Sequence, residues 1–148
     1  MPEMLRSRRF APIARVADHR EQAAAKEFGQ RQDVLAAQEL RLAELRAWWR
    51  EYAQGLEGQA GGGGRMMREG RLFLAQLTDA IERQQGVVER ARRELEAARA
   101  RWLASRMDHE ALQKVVSRAR DEEDRRVRRG EQREQDECAA RAARPDPD

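Results

Sequence analysis

Residues 48–81 read WWREYAQGLEGQAGGGGRMMREGRLFLAQLTDAI, and this stretch decides the fold. Apolar residues at helical spacing stand on both sides of a glycine-rich break. Gly55, Gly58 and the run from Gly61 to Gly64 sit badly in a helix, because glycine loses the most backbone freedom when fixed there. The pattern predicts a helix, a turn, and a second helix running back along the first.

Working outward from the break, helix 1 is expected over about 11–54, the turn over about 55–65 and helix 2 over about 66–143. Pro12 sets the start, since proline suits the first turn of a helix, where its missing N–H has no partner to lose. The seam of helix 1 runs through Phe28, Leu35, Leu42, Trp49 and Leu56 at heptad spacing, with polar interruptions at Glu21, Arg31 and Gln38. Helix 2 repeats the spacing through Leu74, Ile81, Val88, Leu95, Trp102 and Val116. For an antiparallel pair about the glycine turn, facing positions sum to roughly 130. Leu56 then meets Leu74, Trp49 meets Ile81, Leu42 meets Val88, Phe28 meets Trp102, Glu21 meets His109 and Ala14 meets Val116. Beyond Val116 helix 2 has no expected partner, and Pro145 and Pro147 end it. The fold class is therefore all-α: a long two-helix antiparallel coiled-coil hairpin with a C-terminal helical overhang, one domain over residues 1–148.

Composition agrees with this class. Charged residues make up 39% of the chain and aromatics 5%, which suits long helices better than a globular core. No β-branched alternating run signals a strand. The chain is basic in sum, at +3, but acids interrupt every arginine run, so no phosphate-reading stripe is expected and nucleic acid is disfavoured as a partner. Cys138 is the one cysteine, which excludes an internal disulfide and fits a reducing compartment. The N-terminus has no uninterrupted apolar segment of a secretory leader, and no run of 18 apolar residues exists, so membrane insertion is not expected.

Enzymatic constellations are missing, and neither catalytic residue, metal nor cofactor is expected. In this register His19 and His109 fall near one another, which reads as a polar notch in the coiled coil rather than a metal site. Cys138 has no second ligand at metal spacing. The glycine run lacks the Gly-Lys-Ser/Thr of a phosphate loop, since Arg65, Met66 and Met67 follow it. Two features are left over. Trp48 and Trp49 are adjacent, about 100° apart on a helix, so both cannot fill a two-stranded seam. Leu72, Phe73 and Leu74 pose the same problem. This surplus either packs on its own loop, with methionine filling gaps, or forms an apolar patch that binds another protein. The overhang is either a solvated helix or the part that enters a partner.

WWREYAQGL before the turn, FLAQLTDAIERQ after it, the lone tryptophan of ARARWLASR and the tail RRGEQREQDECAARAAR together resemble the FliJ family of flagellar export proteins. A more distant resemblance is to the YscO-type stalk proteins of type III secretion. The likeness covers about Phe10 to Arg144. It implies a non-enzymatic component of the flagellar type III export apparatus, cytoplasmic and peripheral at the inner membrane. By that resemblance the protein is a rotary-ATPase-like stalk that promotes ring assembly by a FliI-like export ATPase hexamer. It would couple that ring to a FlhA-like export gate and handle export chaperones. The gate patch implied here is Leu45, Trp48, Tyr52, Phe73, Leu77 and Ala80; Arg41 and Gln84 align with it but are unlike the family's residue types. The ring contact implied is the terminal end: Phe10 and Ile13 with Val127, Glu134, Asp136 and Glu137. The four-glycine run is a departure from the family, as is the weak seam near Glu21 and Arg31. Two rival readings remain, a stand-alone coiled-coil adaptor and a nucleic-acid-binding helical arm.

Overall fold

The computed structural model describes residues 5–58 and 64–145. Two helices account for nearly all of them: α1, Arg6–Gly58, and α2, Gly64–Ala142, 53 and 79 residues long. They pack antiparallel, and no strand occurs among the described residues. The expected turn glycines Gly61, Gly62 and Gly63 lie outside the described residues. Gly55 and Gly58 instead stay within α1, and Gly64 opens α2. Each glycine costs a helix about 1 kcal/mol, but Leu56 between them packs on Gly70 of α2. Tertiary contact of this kind outweighs local propensity.

The start of α1 also differs from the expectation drawn from Pro12. The helix begins at Arg6, which places Pro12 in its second turn and withdraws the N–H that would serve the Arg8 carbonyl. The residues before the proline are held in another way. The Leu5 carbonyl accepts from the Arg8 and Arg9 N–H groups, and Ser7 is fixed by Glu123 of α2. Pairing therefore continues past Val116, to Ala119 and Glu123, because α1 reaches further back than Pro12 suggested. At the far end of α2 the Ala143 N–H bonds the Ala139 carbonyl, and Pro145 follows.

Contacts divide the chain into two compact units. One comprises Ala23–Leu103. Its core is Leu42, Leu45, Leu77, Val88, Ala91 and Ala98, all buried. Phe28 and Trp102 stack with centroids 5.5 Å apart and planes 3° from parallel, the pairing the seam predicted. A polar layer interrupts the apolar ones: the Gln84 side-chain amide donates to the Gln38 carbonyl at 3.0 Å and to its side-chain oxygen at 2.8 Å. Paired amides in a seam select register, since any slip leaves them without partners. Along the flanks Arg31 pairs with Glu94, Arg101 with Glu27 and Arg92 with Glu39, at 2.7, 2.8 and 3.2 Å. These groups are about half exposed, and such pairs contribute roughly 0–1 kcal/mol each. The apolar seam therefore dominates the stability of this unit.

The other unit joins the chain up to Gln22 with the chain from Ala104 onward. Its buried residues are small, namely Ser7, Ala17, Val116 and Ala119, while Ile13 and Val16 stay about half exposed. Alanine buries little area, so this unit gains less from burial than the leucine-lined one. From Asp124 to Ala142 every residue of α2 is exposed.

Candidate partner-binding surfaces

Within the unit Ala23–Leu103, heptad geometry sorts the expected patch into two groups. Leu45 and Leu77 fall on the seam and are buried, at 6% and 8% exposure, so they support the patch from beneath. Trp48, Tyr52 and Phe73 are exposed at 47%, 39% and 43%, and Ala80 is half-buried. The adjacent tryptophans separate as their 100° offset requires. Trp49 turns toward α2, its indole N–H donating to the Thr78 hydroxyl at 3.2 Å, while Trp48 faces outward.

The outward rings do not stand alone. Tyr52 and Phe73 lie 4.6 Å apart at 56°, an edge-tilted pair joining α1 to α2. The Arg41 guanidinium sits 5.3 Å from the Trp48 ring centre, within cation–π range. Arg41, atypical for the implied patch, thus has a role in orienting Trp48. Gln84 belongs to the polar seam layer instead. Exposed Leu72 and Met66 add apolar surface. Rigid aromatic groups held in this way lose little side-chain entropy on docking, the property that makes aromatic residues dominate protein interfaces.

In the terminal unit Ile13 and Val127 are exposed at 50% and 60%, and Phe10 is half-buried. Glu134, Asp136 and Glu137 are all exposed, with Asp136 accepting from the Gln132 amide at 3.1 Å. One residue that pattern reading passed over organises this end. Glu123 accepts from the Ser7 N–H at 2.9 Å and from the Ser7 hydroxyl at 2.7 Å. The first turn of α1 has no acid of its own, so a carboxylate from α2 caps its free N–H groups. These Ser7 bonds hold the Glu123 carboxyl below its ordinary range.

No hydrogen bond joins His19 to His109 among the described residues. His19 is exposed, whereas His109 is largely buried and meets two carboxylates of α1, Glu21 at Nδ1 and Asp18 at Nε2. The polar notch is therefore one histidine against two acids. Cys138 is exposed. Among the described residues no helix is long and apolar enough to cross a membrane.

The model of the family described as flagellar FliJ protein matches residues 6–146, nearly the whole chain. The chain belongs to the FliJ family. Membership makes it a component of flagellar protein export. No curated protein and no solved structure matches it. The family span takes in both surfaces described above, from the α1 start at Arg6 to the exposed C-terminal part of α2.

Proposed function

We propose that this FliJ-family chain acts, without bond chemistry of its own, as a stalk resembling that of rotary ATPases. It promotes assembly of a FliI-like export ATPase hexamer and couples that ring to a FlhA-like export gate. Export chaperones are further partners, and the site of action is the cytoplasmic face of the inner membrane. The observation that carries the reading is the stretch Asp124–Ala142, helical throughout and exposed throughout. About 19 residues of bare helix span close to 28 Å, a length that makes sense when another protein surrounds it. Val127, Glu134, Asp136 and Glu137, with Phe10 and Ile13, supply its contacts. Trp48, Tyr52, Phe73 and Ala80, backed by Leu45 and Leu77, supply the gate contact.

The test is ring formation and ATP hydrolysis by the cognate export ATPase, with the full chain and with a chain ended after Glu123. Full-length protein is expected to raise both, and the shortened chain neither. Equal stimulation by the two chains removes the overhang from the ring.

A further inference from the structure

We propose that Asp18, Glu21 and His109 form a binding site for a divalent cation of the zinc class. Asp18 and Glu21 stand three residues apart on α1, so both project from one helix face. His109 reaches them from α2. One donor atom from each residue lies within 4.8 Å of the others. Glu21 faces Nδ1 and Asp18 faces Nε2, so an ion held by one imidazole nitrogen requires the carboxylate opposite the other nitrogen to swing across before the donors reach the separation of about 3.3 Å that they take around tetrahedral zinc.

Donor chemistry favours a borderline cation. One imidazole nitrogen with two carboxylate oxygens suits zinc better than calcium or magnesium, which prefer oxygen alone. Charge points the same way. A single histidine supplies at most one positive charge against two carboxylates, whereas a divalent ion beside a neutral imidazole balances both. The surroundings are partly dry, with the His109 and Glu21 side chains 15% and 23% exposed, which strengthens ion–ligand attraction. Asp18 is held from behind by the Gln22 amide at 3.2 Å, an outer partner of the kind that orients metal ligands. A cavity of about 390 Å³ opens beside Asp18 and His109, with Gln113 on its wall. It leaves room for a water or the Gln113 oxygen as the fourth ligand.

An ion here cross-links α1 to α2 in the unit whose buried residues are small. It therefore stabilises that unit by mass action. The test is zinc chloride titrated calorimetrically into the full-length protein, with thermal unfolding followed in parallel. One ion per chain and a higher unfolding midpoint with zinc are expected. Asp18→Asn, Glu21→Gln and His109→Ala are each expected to weaken binding about tenfold or more, and His19→Ala and Cys138→Ser to leave it unchanged. Asp18 is about half exposed, so its variant folds even where the His109 variant loosens the seam. Absence of saturable binding overturns the proposal. So does zinc binding that survives Asp18→Asn and Glu21→Gln at full strength, or that disappears with His19→Ala or Cys138→Ser.

Discussion

Gly70 carries a constraint that no periodic pattern announces. A Cβ at this position meets both Leu56 methyl carbons, Cδ1 at 2.9 Å and Cδ2 closer still. Gly86, also inside α2, has nothing within 4 Å of the same point. Alanine gains about 1 kcal/mol over glycine in a helix interior, and overpacking costs about 1–3 kcal/mol. Gly86→Ala should therefore raise stability by up to about 1 kcal/mol, while Gly70→Ala should fall about 1–3 kcal/mol below it; chemical denaturation of the two variants measures the gap. At the same scale, Trp48→Ala with Phe73→Ala removes rings that are largely outside the seam. It should leave helical circular dichroism intact while weakening gate binding, and unchanged gate affinity would detach the patch from that role. Residues on the seam were legible because period alone fixes them, as Phe28 against Trp102 and Glu21 against His109 illustrate. Gly70 was not, since its requirement arises from one close approach between two helices. The role of Arg41 was hidden for a similar reason, because a cation over a ring leaves no mark on hydrophobic spacing.

The helices themselves show where pattern reading stops. Pro12 argued for a start near Ala11, yet α1 begins at Arg6 because α2 supplies what the local sequence lacks. Ser7 and Glu123 lie seven residues beyond Ala14 and Val116 on the same heptad tracks, so their pairing continues the predicted register. It went unread because the track turns from apolar to polar there, and a serine with a glutamate gives no hydrophobic signal. The Glu123 carboxyl is depressed in the folded state, first by the Ser7 N–H and then by the Ser7 hydroxyl. Its contribution is therefore complete above the ordinary glutamate range and lost as pH falls through the folded-state value. Glu123→Gln should flatten this acid-side loss of N-terminal order. Amide hydrogen exchange across residues 6–10 at neutral and acidic pH checks it: wild type should lose protection on acidification, whereas the variant should be weakly protected at both. Retention of full wild-type protection in acid would show that Glu123 does not cap α1.

For the whole molecule, stability and function are expected to separate. The buried residues lie between Ser7 and Ala119, and every residue from Asp124 to Ala142 is exposed. A chain ended after Glu123 should thus unfold within about 1 kcal/mol of the full chain, since exposed positions contribute little. If the proposed stalk role holds, it should nevertheless fail to stimulate the ATPase. The family match and the helical pair were both within reach of the sequence, through WWREYAQGL, FLAQLTDAIERQ and two stripes in register. The chemistry of the terminal unit was legible only in part: Glu21 against His109 follows from the register, whereas Asp18 sits off the seam and joins His109 only through the packing of α1 on α2. In the proposed role one molecule couples the export ATPase to the export gate. The most direct measurement is capture of the gate's cytoplasmic domain on immobilised ATPase, with and without this protein. Capture that requires the full chain, and that fails both for the chain ended after Glu123 and for Trp48→Ala with Phe73→Ala, is the predicted result. Gate capture that is independent of the protein, or that survives both changes, would contradict the coupling role.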